Sequence, residues 1–427
     1  MPRRHSGLFG SIAGFSALVA AARRAVRGKR RKPVAAAFMA GLEREVLRLE
    51  RELCRGTWRP GRYVEIEVHE PKRRLVSAAP FRDRVVHHAL CAVIEPFFER
   101  GFVFDSYANC AGKGSHDAVA RYERFRDRHR HVLRGDIYRY FPAIDHAILK
   151  ADIRRRLACP GTLRLIDAVI DGSNRQEPVD IYYPGDDLFA PFARRRGLPI
   201  GNLTSQFFAN VYLDGLDHYV KEVLRAPGYV RYVDDFALFH DDPGTLEEWC
   251  RRIASYLARR RLSLHPRKTF VAPTEAPAAF LGYVLLPGGG RRLPEDNVRR
   301  FRNRLRGLRG LRDSWRAGTV AREDIERRVG AWIAHAGHAD TWRLRAAIFR
   351  DGWFDPSRGP GRGPLPRAAR RLLEQQSEEP PLGQPQQGRH RQPEQQQRLP
   401  RRQYAPMPEP GHPRVPRVCL RCVQGRP

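Results

Sequence analysis

This sequence predicts an α+β fold in which an antiparallel sheet is backed by helices, on three observations. The run Tyr229-Val230-Arg231-Tyr232-Val233-Asp234-Asp235-Phe236-Ala237-Leu238-Phe239 sets two adjacent carboxylates between apolar, β-branched and aromatic stretches, the pattern of a hairpin with acids at its tip. Upstream, His131-Val132-Leu133-Arg134-Gly135-Asp136-Ile137 reads as a short strand ending in an acid. It leads through Tyr138-Arg139-Tyr140-Phe141-Pro142 into a helix entered near residues 143–146. Farther on, residues 297–349 are helical in composition, with Phe301, Leu305 and Leu308 at three- and four-residue spacing on an Arg-rich background.

The remaining elements follow in chain order. Residues 8–22, after Arg3-Arg4, superficially resemble a signal peptide, but Gly10, Ser11, Gly14 and Ser16 dilute the apolar core. They read better as an N-terminal helix ending in a basic arm, Arg23-Arg24 and Lys29-Arg30-Arg31-Lys32. A second helix over 35–53 carries an apolar stripe through Phe38, Leu42, Val46 and Leu49. The alternation of 63–68 predicts a strand, followed by Glu70-Pro71-Lys72-Arg73-Arg74-Leu75-Val76, where Lys72 and Arg74 share a strand face. Residues 106–116 do not form a phosphate-binding P-loop, because Tyr107 stands where glycine is required. The segment Gly197-Leu198-Pro199-Ile200-Gly201-Asn202-Leu203-Thr204-Ser205-Gln206 enters a helix through 207–213, with Asn202 or Thr204 suited to cap it. Trp332, Ile333 and Trp342 are expected to anchor the core of the last helical unit, and no transmembrane span is expected.

Adjacent carboxylates are costly to bury unless a cation neutralises them, and hard oxygen ligands suit Mg²⁺ or Mn²⁺. Asp136 and Asp234 suit a pair of such ions roughly 4 Å apart, one acid bridging both and the other completing the cage, with Asp235 beside them.

The order of these segments resembles a reverse transcriptase: Asp136, an aromatic five positions later at Phe141, Gly201 and Ser205 in a Gly-x-x-x-Ser segment, then Tyr232-Val233-Asp234-Asp235. The resemblance implies a right-hand polymerase. Its parts would be an N-terminal extension (1–60), fingers (61–130), a palm (131–290, with a fingers-like insertion near 150–200) and a small helical thumb (291–354). It implies two Mg²⁺ ions, with Mn²⁺ an alternative, held by Asp136, Asp234, Asp235 and the carbonyl of Ile137. It further implies that Phe141 is the gate against ribose and that Lys72 and Arg74 grip the triphosphate. Lys268, in Leu264-His265-Pro266-Arg267-Lys268-Thr269, matches the general acid for pyrophosphate. Phe280-Leu281-Gly282-Tyr283-Val284 matches the primer-grip hairpin, and Ile200, Gly201 and Gln206 fall beside nucleotide and template.

Most members carry Gln-Gly-x-x-x-Ser-Pro where this chain has Ile200 and Gln206 at the variable ends. That double departure resembles the enzymes of diversity-generating retroelements, and so implies tolerant copying with errors opposite template adenines. Implied partners are an RNA template, a DNA or RNA primer, deoxynucleotides and a small basic accessory protein, in the cytoplasm and not at a membrane. No nuclease segment is expected after the thumb, so the primer must come from elsewhere. A retron-like or group II intron-like enzyme of ordinary fidelity, and a catalytically idle RNA-binding protein, are the rival readings.

Composition agrees. The 427 residues carry 78 Lys and Arg against 47 Asp and Glu, a formal charge of +31, which suits a polyanionic partner. Membrane-surface binding would explain the charge but not the ordered acids. The seven cysteines are mostly isolated and indicate neither a disulfide framework nor a zinc module. Residues 355–427 hold 15 of the 34 prolines and one aromatic, Tyr404, and are expected to be disordered. Their Gln runs, at 375–376 and 395–397, are encoded by CAA or CAG. Read one nucleotide over, these permit runs of AAC, which resemble the adenine-rich template repeat of such retroelements.

Overall fold

Glycines divide both N-terminal helices in the computed structural model, which describes residues 4–69, 74–174, 176, 181–304 and 322–349. The expected helix over 8–22 is two helices, α1 (Phe9–Ala13) and α2 (Phe15–Ala25), because Gly14 between them is extended. The stretch 35–53 likewise splits at Gly41 into α3 (Pro33–Ala40) and α4 (Leu42–Cys54). The apolar stripe survives the break: Phe38, Val46 and Leu49 are buried and Leu42 is partly so.

Strand β1 (Val64–Val68) is exposed along its length and pairs antiparallel with β2 (Arg74–Ala78). Helix α5 (Phe81–Glu99) follows and packs against α2. After α6 (Ser115–Arg126) come β3 (His131–Asp136), the short α7 (Tyr140–Ala143), α8 (His146–Arg156), α9 (Pro160–Asp171) and the short α10 (Ala190–Ala193). Asp145 caps α8, accepting from the amides of Ala147 at 2.9 Å and Ile148 at 3.0 Å. Helix α11 (Leu203–His218) ends in one π turn before β4 (Gly228–Tyr232) and β5 (Asp235–His240).

The central sheet has the order β4-β5-β3-β6, all antiparallel, with α12 (Pro243–Arg259) preceding β6 (Phe270–Pro273). Successive side chains of a strand face opposite ways, and here each face feeds a separate core. Leu133, Tyr229, Phe236 and Leu238 join α5, α11 and α12 on one side. Val132, Val230, Ala237 and Phe239 join α6 on the other. Each fully buried Val, Leu or Phe among them contributes about 1.5–3 kcal/mol.

Strands β7 (Ala278–Phe280), β8 (Tyr283–Leu285) and β9 (Arg291–Arg292) form a third antiparallel sheet. The β7–β8 turn is Leu281-Gly282 with φ of +47° and +87°, a two-residue geometry that matches strand twist. Beyond it, residues 295–304 are helical, followed by α13 (Arg322–Gly337) and α14 (Trp342–Phe349). Phe301 stacks on Trp332 at 3.7 Å, and the Trp332 indole N–H donates to Asn297 Oδ1 at 3.1 Å.

One expected anchor is corrected: Trp342 is 63% exposed. Its place at the start of α14 turns it outward, and Leu344 and Ile348, four residues apart, take the inward face. Lys72, Leu305, Leu308, Cys419, Cys422 and the whole 355–427 segment lie outside the described residues. Among the described residues no helix is long and apolar enough to cross a membrane.

Candidate active site

The register of the central sheet brings the acids to one end. Asp136, the last residue of β3, stands opposite Asp235, the first of β5, and Tyr232 of β4 also pairs with Asp235. Val233 and Asp234 are therefore the two residues of a hairpin turn. The Ile137 amide donates to the Asp234 carbonyl at 3.3 Å, which ties the turn to the end of β3. Gly135 makes room at that point, since a Cβ there would fall 2.1 Å from the Phe236 ring.

Val233 has φ +57°, a left-handed conformation that a β-branched residue rarely adopts. Such a residue costs roughly 1–3 kcal/mol and persists only when its surroundings over-determine it. The surroundings here are a buried ionic network. Arg231, 1% exposed, donates through Nε and Nη2 to the two oxygens of Asp217, both at 2.6 Å. Its Nη1 donates to the Val233 carbonyl at 2.9 Å and to Asn210 Oδ1 at 3.3 Å, and Nη2 also reaches Ser106 Oγ at 2.9 Å. Tyr229 donates its hydroxyl to Asp217 at 2.6 Å. Burial works against the Arg231 charge, but the Asp217 carboxylate more than offsets it and raises the pKa. Sequence reasoning missed this support. The available signal was an arginine inside a buried strand, which requires a carboxylate somewhere.

The acidic cluster is differently balanced. Asp235 is pushed up to about 7, first by burial and then by Asp234 and Asp136, with Lys268 and Arg134 opposing. Lys268 Nζ lies 2.5 Å from Asp136 Oδ2, and the His265 amide donates to the Asp136 carbonyl at 2.7 Å. Lys268 and Arg134 thus oppose the acids without returning Asp235 to the ordinary carboxylate range. Among the described residues no three acids, histidines or cysteines are drawn up as a finished metal cage. The donor chemistry nonetheless fits a divalent cation: clustered hard carboxylate oxygens whose mutual repulsion adds to burial in raising Asp235. Asp136 and Asp234 would hold it.

A second group of expected residues forms a continuous layer with β2. Phe141 lies in α7, partly buried, and its carbonyl accepts from the Leu198 amide at 2.9 Å. The Ile200 carbonyl accepts from the Ser77 amide at 2.9 Å. Gly201 has φ +110°, and a Cβ there would meet Val76 Cγ1 at 2.8 Å, so its close approach is to β2. Asn202 holds the N-cap position of α11 but makes no cap bond, contrary to expectation. Its side chain instead donates to the Ser77 carbonyl at 3.2 Å and accepts from the Ala79 amide at 3.3 Å, stitching α11 to β2. Gln206 is exposed on α11, and Arg74 opens β2. The two groups of residues meet through the segment from Asp136 to Phe141.

A family model described as reverse transcriptase (RNA-dependent DNA polymerase) matches residues 67–285, just over half the chain. The chain belongs to the reverse transcriptase family. This reverse transcriptase has the right-hand polymerase fold, and its four-stranded sheet with the acidic turn is the palm. It is 25% identical over 321 residues to protein YkfC of Escherichia coli (strain K12), covering 64% of this chain and 81% of that one. Looser structural matches are a truncated apo telomerase from Candida tropicalis and a telomerase from Candida albicans in complex with a telomeric RNA fragment. The first has TM-score 0.38 and 12% identity and covers 55% of either chain. The second has TM-score 0.37 and 12% identity and covers 59% of this reverse transcriptase. Matches this loose transfer no substrate or partner, and the chain spans 55% and 50% of those telomerases.

Proposed function

We propose that this reverse transcriptase copies a template-repeat RNA into cDNA within a diversity-generating retroelement, with errors concentrated at template adenines. The observation that carries the polymerase chemistry is the convergence of Asp136, Asp234 and Asp235 at one end of the palm sheet, where they raise the Asp235 pKa. Asp136, Asp234, Asp235 and the Ile137 carbonyl would hold two divalent ions, Mg²⁺ or Mn²⁺. When bound, such ions lower the pKa of a primer 3′-hydroxyl and balance charge on the phosphates. The Phe141 ring fills the space that a 2′-hydroxyl would need, so deoxynucleotides are selected. Lys72 and Arg74 grip the triphosphate, and Lys268, released from Asp136, gives its proton to pyrophosphate.

Ile200 and Gln206 support the retroelement reading. With isoleucine in place of an amide, one polar restraint beside nucleotide and template is lost. Gly201 keeps the backbone close to β2. A small basic accessory protein is the further partner, the 355–427 segment overlaps the template repeat in the DNA, and the cytoplasm is the working compartment.

Primer extension on an RNA template with Mg²⁺ tests the chemistry. Asp234→Ala is expected to lower it by more than ~10²-fold with RNA binding retained. Extension that survives the change removes Asp234 from the chemistry, and a wild-type chain that binds RNA but extends no primer is a non-enzymatic RNA binder. Sequencing the cDNA tests the subtype: an excess of substitutions opposite adenines, reduced by Ile200→Gln, is expected. An even error spectrum returns the chain to the retron-like or intron-like class.

A further inference from the structure

Residues 23–32, at the end of α2 and in the turn after it, hold five arginines and two lysines. Among the described residues none of the seven takes part in an ion pair. A run of charge is ordinarily a solvated face, but this one borders a groove. Leu18, Ala21, Ala22 and Ala25 bury one side of α2, which leaves Phe15, Arg23 and Arg27 facing outward, with the half-buried Val19 between them at the same four-residue spacing. These four line a cavity of about 530 Å³ together with Ala20 and Arg24. Its floor is apolar, its far end is cationic, and Phe15 is 38% exposed.

The positive field is uncompensated from beneath as well. Arg24 docks on α5 through the His88 carbonyl at 3.5 Å. Burial and then Arg84 and Lys32 hold the Lys29 pKa down, and burial followed by Arg24, Lys29 and Arg84 does the same to His88. Glu50, which accepts from the Phe15 amide at 2.9 Å, lies at the Phe15 end of α2, away from Arg23 and Arg27 at the other. Cations alongside an exposed aromatic match the way unpaired nucleic acid is held, phosphates on guanidinium groups and a base on a ring. The same charge repels a basic protein partner.

We propose that the outward face of α2 and the turn after it bind RNA outside the copied stretch, through its phosphates, with Phe15 stacking on an unpaired base. The surface is built on α5 and not on the palm sheet, so it is separate from the acids. The proposal goes beyond polymerisation and needs only that the chain binds RNA.

The test compares the wild-type chain with the fourfold variant Arg23→Gln, Arg27→Gln, Arg30→Gln, Arg31→Gln and its all-lysine counterpart. Transfer RNA is the long probe and a short primer–template the second, titrated between about 50 and 200 mM salt. The glutamine variant is expected to lose on the order of 10–100-fold in transfer RNA affinity. Its slope of log affinity against log salt should be shallower by about three, since each phosphate neutralised on a single strand adds about 0.7 to that slope. Its kcat on the short primer–template should be unchanged, and the lysine variant should match wild type. Phe15→Ala is expected to lose about tenfold in affinity with the slope preserved. Unchanged affinity and slope in the glutamine variant overturn the proposal. So does a loss confined to anionic lipid vesicles, which would assign the face to a membrane. A wild-type chain that binds transfer RNA yet extends no primer sinks the polymerase reading and leaves this surface standing.

Discussion

Two clusters of buried charge sit on neighbouring strands of the palm, and they are built on opposite principles. Arg231 and Asp217 close on one another, and Tyr229, Asn210, Ser106 and the Val233 carbonyl take up the remaining donors and acceptors. Asp136, Asp234 and Asp235 crowd one end of the sheet, where burial first and mutual repulsion second drive Asp235 up to about 7 against Lys268 and Arg134. Charge that is balanced within the fold serves the fold. Charge crowded against its own sign marks where something from outside must complete it.

The largest expected effect lies in the closed cluster. Asp217→Ala strands a buried guanidinium and should cost about 3–5 kcal/mol in denaturant unfolding. The double variant Asp217→Leu with Arg231→Met should cost less than that single change, because both charges leave together. A double variant that is worse than the single would mean the network is not self-contained.

In the open cluster the sign should reverse. Asp235→Asn removes one of three repelling carboxylates, so thermal stability without divalent cation is expected to rise by about 1 kcal/mol while primer extension falls. A destabilised Asp235→Asn would erase the contrast between the clusters.

Val233 links the two, since its carbonyl belongs to the closed network and its neighbour to the open one. Val233→Gly should stabilise by up to about 1 kcal/mol, because glycine adopts φ +57° without strain, and it should slow extension by loosening the acids. A loss of stability on chemical denaturation would mean the left-handed turn is not strained.

A separate pH dependence comes from a compensated site outside the palm strands. His218 is raised to about 9, chiefly by the Asp214 carboxylate 3.4 Å from its Nε2 and further by Glu222, against the opposing effect of burial. Its folded pKa exceeds the unfolded value of about 6.5, so its contribution is complete below about 6.5 and is lost as pH rises through about 9. His218→Gln should flatten that stretch of the stability profile and leave the acid side unchanged.

Much of this was legible in the chain because it is written in local alternation. The β3 strand and the Tyr232–Asp235 turn are patterns of period two with acids at their ends, and their order along the chain carries the family resemblance. The helix breaks at Gly14 and Gly41 were not legible, because apolar periodicity continues across them. Neither was the role of Asn202, whose partner Ser77 lies 125 positions away, nor the pairing of Lys268 with Asp136 across 132 positions. Cap chemistry can be read from neighbouring residues, whereas a side chain that crosses to another element is decided by the assembled fold. Trp342 shows the complementary error: size and apolarity favour burial, but the phase of a helix decides which face it occupies.

In β5, Phe236 and Leu238 belong to one core while Ala237 and Phe239 belong to the other. A one-residue slip would exchange these commitments and turn Asp235 to the wrong side in a single move. Inserting an alanine between Asp235 and Phe236 should therefore abolish folding and chemistry together, with no folded but inactive intermediate. The acids need no separate mechanism to keep their alignment, because any chain that solves its packing has already aimed them.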